Sequence, residues 1–367
     1  MIQRGLAAQA MFGPHRSVCH LHILPRRKCF VPKTLPSAIK PARHSDRRNA
    51  ITTNACIAPP WWRHLLLFLL DFFRFGIYIH VKEKKLTRVG VVTQLLVHPM
   101  KSGKAVSIET AECLRMGLKY GELRDRHWLV ITEDGHMVTA RQQPRLVLVS
   151  LSCEGGQVCL NGPQMEELRV PLHQPNNAVV DCRVFTRDVQ GRDCGDDVSN
   201  WLTRFLESDK TVRLVHFEPH LKAQRPSEKD PLFPKDEKVA YPDAAPIMLM
   251  SEASVRDLNT RLDKDVTVYQ FRPSIVVSDC EAFTEDTWDH IQIGQVELKR
   301  VVGCGRCVLT TVDPETGIIT RKEPLDTLKT YRLTDPKQKT APILGQYYTV
   351  KKTGILHVGE ILYKVTY

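Results

Sequence analysis

Val89–Lys104 reads VGVVTQLLVHPMKSGK, and how this stretch is read decides the fold. Its first nine residues, rich in valine with a threonine among them, read as a β-strand, and Pro99 stops it. The chain then enters Met100-Lys101-Ser102-Gly103-Lys104, where a charge, a short hydroxyl donor and a flexible backbone stand together. Those are the elements that a phosphate needs, although Lys-Ser-Gly turns are common and the stretch alone is weak evidence.

Working outward, strands continue to dominate. Val106–Glu112 reads as another strand. HWLVIT and HMVT flank Glu133-Asp134-Gly135, and RLVLVSLSC and QVCL flank Glu154-Gly155-Gly156, both in the manner of hairpins. These runs predict one antiparallel, barrel-like domain over residues 89–215. Two helices follow. Asp197–Glu207 sets Val198, Trp201, Leu202, Phe205 and Leu206 on one stripe, and Ser251–Leu262 begins at an N-capping serine. Between them, Glu218–Pro246 is polar and proline-rich and reads as a long surface loop. Strands return at Pro273–Ser278, Val296–Val302, Cys307–Val312 and in ILHVGEILYKV near the end, giving a second domain over 216–367. The class is mixed α+β and strand-rich.

The N-terminal part differs in composition. Residues 1–60 hold ten Lys/Arg against Asp46 alone, which is +9 of the chain's net +11. The basic balance therefore belongs to an arm and not to a nucleic-acid-binding face. A basic, acid-poor arm resembles an organelle-directed leader more than a secretory signal, with a plain disordered tail as the alternative. Residues 61–80 begin WWRHLLLFLLDFFRFGIYI, about as long as the ~20 residues that span a bilayer. Asp71 and Arg74, three apart, can face each other on a helix. This segment reads as a single membrane anchor, or else as an interfacial or buried helix. The eleven cysteines are odd in number and irregularly spaced, which argues against a disulfide framework.

The sharpest chemical feature is Gly303-Cys304-Gly305-Arg306-Cys307, between two β-rich runs. A Cys-x-x-Cys is read as half a zinc site, as a redox dithiol, as a single exposed thiolate activated by Arg306, or as two buried structural cysteines. Arg126, beside Asp125, and Arg272, before Pro273, add separated guanidinium groups suited to a polyanionic, heteroatom-rich cofactor. No GxGxxG, GxxxxGK[ST] or HExxH occurs, so the chain shows no nicotinamide site and no sign of nucleotide hydrolysis.

VHPMKSGK (Val97–Lys104), LRDRHW (Leu123–Trp128), VTARQQPRL (Val138–Leu146), GRDCG (Gly191–Gly195), RLVHFEP (Arg213–Pro219), FRPSI (Phe271–Ile275), GCGRC (Gly303–Cys307) and TTVDPETG (Thr310–Gly317) occur in that order. Together they resemble the mitochondrial amidoxime-reducing component family, over nearly all of Val89–Tyr367. The resemblance implies an N-terminal anchor, a MOSC N-terminal β-barrel domain and a MOSC β-barrel domain with peripheral helices. It implies a molybdenum–molybdopterin cofactor with Cys307 as catalytic metal ligand, and Lys101, Ser102, Arg126, Arg272, Gly305, Arg306 and Tyr347 around the cofactor. It further implies reduction of N-hydroxylated compounds by a monomer at the mitochondrial outer membrane, with the catalytic domain facing the cytosol. Electrons would come from NADH through cytochrome b5 reductase and cytochrome b5. A tethered cofactor carrier or sulfur-handling module without turnover is the alternative. The chain departs from the family at Ala244 and Ala245, where hydroxyl residues are usual, at Ser274 for asparagine and at Gly305 for serine.

Overall fold

A computed structural model describes residues 83–224, 233–234 and 237–367. The basic arm (1–60), the expected anchor (61–80) and part of the 218–246 loop lie outside these residues. Among the described residues no helix is long and apolar enough to cross a membrane.

In chain order the strands are β1 (Lys85–Val97), β2 (Val106–Ile108), β3 (Thr110–Leu114), β4 (Gly117–Tyr120), β5 (Leu123–Arg124), β6 (Trp128–Thr132), β7 (Met137–Val138), β8 (Ser150–Glu154), β9 (Gln157–Asn161), β10 (Leu168–Pro171), β11 (Val179–Val184), β12 (Arg187–Asp193) and β13 (Val212–His216). After the long loop come β14 (Ile247–Ser251), β15 (Ile275–Ser278), β16 (His290–Ile293), β17 (Val296–Gly305), β18 (Ile343–Lys352), β19 (Gly354–His357) and β20 (Ile361–Thr366). The helices are α1 (Asp196–Phe205), α2 (Glu252–Asn259) and α3 (Leu325–Tyr331).

Seven strands close a barrel in the order β15-β14-β18-β17-β16-β20-β1, with β1 pairing back onto β15 and β2 lying against β1. β1 falls within 89–215 for most of its length, yet the other six staves all follow residue 246. Its length explains this. The strand runs for 13 residues, and register shifts at Arg88/Gly90 and Val92/Gln94 bend it. Its first half pairs with β20 and its second with β15. A Cβ at Gly90 would stand 2.8 Å from the Ser278 carbonyl oxygen, so this crossing needs glycine.

Within 89–215 the strands after β2 form three antiparallel sheets, β11-β12-β13-β6-β7, β10-β9-β8 and β19-β3-β4-β5, the last completed by β19 from the far end of the chain. The two hairpins read from their glycine turns are both present, as β6–β7 and β8–β9. Local turns fix such neighbours, whereas the joining of hairpins into larger sheets depends on distant partners such as β19 on β3.

On β14 and β15 both faces are covered. Ile247, Leu249, Ile275 and Val277 join the barrel interior, while Met248, Met250 and Val276 pack with Val255 and Leu258 of α2. The β14–β15 pair is parallel, and α2 makes the crossover that parallel neighbours require. The Ser251 hydroxyl caps α2, accepting from the backbone N–H groups of Ala253 at 3.0 Å and Ser254 at 3.4 Å. α1 buries Val198, Trp201, Leu202 and Phe205, the stripe expected from its spacing.

One expected strand is overturned. The run after Cys307 forms a 3-10 turn over Val308–Thr311. The Thr310 hydroxyl donates to the Cys307 carbonyl at 2.9 Å, and Thr311 to Val308 at 2.8 Å. These local bonds satisfy carbonyls that a strand would offer to a neighbour, and they outweigh the β-preference of the residues.

Candidate functional site

The registers Leu95↔Ile275, Leu249↔Ile275, Leu249↔Gln346 and Gly303↔Gln346 bring four neighbouring strand pairs to one level of the barrel. The segments next to that level form one cleft: His98–Ser102 after β1, Arg272–Ser274 before β15, the end of β17, and Tyr347 on β18. The cleft holds about 740 Å³ counting its open mouth. All eight residues singled out in the sequence line it: Lys101, Ser102, Arg126, Arg272, Gly305, Arg306, Cys307 and Tyr347.

Three of them have left-handed backbones, with φ of 68° at Ser102, 54° at Arg126 and 58° at Arg272. Such conformations are costly for residues other than glycine and persist only where surrounding bonds enforce them. Those bonds are present. The Arg126 N–H donates to the His98 carbonyl at 2.6 Å, and Arg272 N–H to Val268 at 3.2 Å. The backbone N–H of His98 donates to the buried Asp125 carboxylate at 2.7 Å, and Asp125 also pairs with the Arg126 guanidinium. Arg126 Nη2 then donates to the Arg272 carbonyl at 3.0 Å, and Arg272 Nη1 to that of Gly103 at 2.7 Å. The chain ends around the cleft are thus stitched into one frame.

The cleft is strongly cationic. Lys101, Arg126, Arg141, Arg272 and Arg306 line it against a single carboxylate, Asp243. Burial alone would raise the Asp243 carboxyl, but the charges of Lys101 and Arg141 hold it at about 2. Lys101 donates to the Tyr241 carbonyl at 2.8 Å and pairs with Asp243, whose other oxygen takes Arg141 at 3.1 Å. Burial, then repulsion from Arg126, lowers Arg272 to about 9, and its buried Nη2 has no protein partner. Arg306 is committed to the fold: Nε donates to Leu344 and Nη1 to Phe271, at 2.7 and 2.8 Å. It therefore offers charge more than free donors.

The two cysteines of the motif are placed differently. Cys304 is 3% exposed, packs under α2, and burial raises its thiol. Cys307 is partly exposed beside the Arg141 guanidinium. No group of three or more metal-ligating His, Cys, Asp or Glu side chains occurs among the described residues. Thr139, Arg141, Asp243 and Gln270 also line the cleft and were not singled out. Arg141 lies within the quoted VTARQQPRL run, but only the fold carries it to Cys307. Ser274 is fully buried, and its hydroxyl accepts from the Met248 N–H at 3.3 Å, so it serves the β14–β15 junction.

Comparison with known proteins agrees with this architecture. Residues 89–209 match the MOSC N-terminal beta barrel domain and residues 236–363 the MOSC domain, which defines a two-module MOSC protein. The chain is 81% identical over 286 residues to the mitochondrial amidoxime-reducing component 1 of Danio rerio, covering 78% of this chain and 88% of that one. To the Xenopus laevis protein of the same name it is 54% identical, covering 78% and 85%, and to the Homo sapiens one 48%, covering 77% and 85%. The chain belongs to the mitochondrial amidoxime-reducing component family.

Proposed function

We propose that this protein is a molybdenum-cofactor enzyme that reduces amidoximes and related N-hydroxylated compounds, with Cys307 as the protein ligand to the metal. The observation that carries the reading is the cleft: five cations, one carboxylate and one partly exposed thiol. A flat group bearing a phosphate and a dithiolene fits that donor set. It supplies the anion that the surplus charge lacks and an acceptor for the orphaned Nη2 of Arg272. Lys101, Ser102, Arg126 and Arg272 would hold its polar groups, Gly305 and Tyr347 would lie against it, and a soft thiolate suits the metal.

When bound, the cofactor supplies two electrons, which with two protons convert N–OH to N–H and water. The chain's part is to bind and orient. Asp125 fixes Arg126, Asp243 fixes Lys101 and Arg141, and the charged walls keep an anionic cofactor in place. The absence of a dinucleotide-binding fingerprint supports delivery of electrons from NADH through cytochrome b5 reductase and cytochrome b5. The relatives' names support a mitochondrial location. A monomer anchored by residues 61–80 in the outer membrane, with the MOSC domains toward the cytosol, completes the reading.

The test is elemental analysis together with turnover. The purified protein should carry molybdenum. Cys307→Ala should abolish N-reduction, and Cys304→Ala should keep substantial activity. Equal loss in both with the fold intact would point to a dithiol or zinc pair, and bound molybdenum without turnover would favour a cofactor carrier.

A further inference from the structure

Val184 pairs with Arg187, so β11 and β12 are joined by the two-residue turn Phe185-Thr186. Phe185 takes the first central position at φ 55°, a conformation that hairpin turns ordinarily give to glycine. A bulky aromatic there is strained, and strain of this kind gathers at functional sites. The residue is 45% exposed. Its ring is nevertheless held in place: Lys101 Nζ lies 5.6 Å from its centroid and the Arg141 guanidinium carbon 5.3 Å. Both cations line the cleft, as does Cys307. The hairpin therefore sets a half-exposed aromatic ring against two of the cations that line the cleft, at its rim.

We infer that Phe185 is a specificity-determining residue, the apolar wall on which a planar, conjugated N-hydroxylated substrate stacks. This rests on the reductase reading above. The cleft lining sets its five cations beside Pro242, Ala245, Met248, Phe271 and Leu309, of which Ala245, Met248 and Phe271 are buried, so it offers a neutral conjugated molecule little flat apolar surface. Small-molecule sites need apolar surface as well, and ring stacking supplies it with a defined geometry. Because two cations already orient the ring, little freedom is lost when a substrate settles on it.

The experiment uses the full molybdenum-loaded protein with NADH, cytochrome b5 reductase and cytochrome b5. It compares an aromatic substrate, benzamidoxime, with an aliphatic one, acetamidoxime, for wild type, Phe185→Ala, Phe185→Leu and Phe185→Tyr, with molybdenum content measured for each. Phe185→Ala should raise KM for benzamidoxime about tenfold while kcat changes little, as expected for lost ring stacking. The preference in kcat/KM for the aromatic substrate should fall about fivefold or more, and Phe185→Tyr should restore it. If Phe185→Ala does not fold, Phe185→Leu, which keeps bulk without a π face, should show an intermediate loss of preference. Wild-type turnover of both substrates with the preference unchanged in Ala or Leu overturns the inference alone, as does an equal fall in Tyr. Wild type that turns over neither at full molybdenum occupancy overturns the reductase reading and this inference with it.

Discussion

Asp125 does not line the cleft, yet the frame around the cleft depends on it. It is 2% exposed, accepts the His98 backbone N–H at 2.7 Å and pairs with the mostly buried Arg126 guanidinium. Replacing it with alanine leaves Arg126 without its carboxylate and the His98 N–H without its acceptor. Breaking a buried pair by removing one partner costs roughly 3–5 kcal/mol. For a folded region of this size that corresponds to a fall in Tm of about 6–15 °C. Asp125→Asn separates the two parts of the loss. Its amide oxygen can still accept from His98, so the cost should fall to about 1–3 kcal/mol, mostly from the lost charge. Thermal and urea unfolding of both variants would give the stability values. Molybdenum per protein would report whether Arg126, freed from its partner, can serve the cofactor-holding role proposed for it, and we expect retention to drop in both variants. A double-mutant cycle with Arg126→Ala isolates the pair. Coupling near zero, or a Tm for Asp125→Ala within about 2 °C of wild type, would refute the view that this carboxylate organises the site.

Acid should destabilise the protein through its buried histidines. Burial lowers His127 to about 4, and burial with the charges of Arg272 and Arg126 drives His98 well below its ordinary value. Unfolded imidazoles bind protons below pH about 6.5 while these two stay neutral, so stability falls from about 6.5 toward 4 by up to ~1.4 kcal/mol per pH unit for each. His127→Phe, beside Phe217 at 5.4 Å, should flatten the dependence of Tm on pH, and coincident slopes would exclude this cause. Steady-state NADH oxidation with an amidoxime should stop when cytochrome b5 is omitted. It should also weaken with salt as the Debye length shortens from about 10 Å at 0.1 M to roughly 3 Å at 1 M. Full activity from NADH and this chain alone would mean a nicotinamide site exists.

Local chemistry wrote much of this protein into its sequence. The Asp-Gly step predicted the β6–β7 hairpin, the Gly-Gly step predicted β8–β9, and the apolar stripe of α1 and the serine cap of α2 were equally plain, because each depends on residues a few positions apart. The motifs with Lys101, Arg126, Arg272 and Cys307 were legible for the same reason, and the fold brings all four to one cleft. What tertiary structure alone decided is long-range pairing and what lies across space. The closure of the barrel by β1 could not be read from a strand whose pattern is the same whichever partner it meets. Nor could the β-branched run after Cys307 announce a 3-10 turn, since its threonine hydroxyls favour the turn only once the chain is bent there. Asp243, Arg141 and Phe185 lie far apart in sequence and carry no motif that links them. They meet because a loop, a turn and a hairpin tip are delivered by different strands to one rim, and charge and ring interactions act through space rather than along the chain.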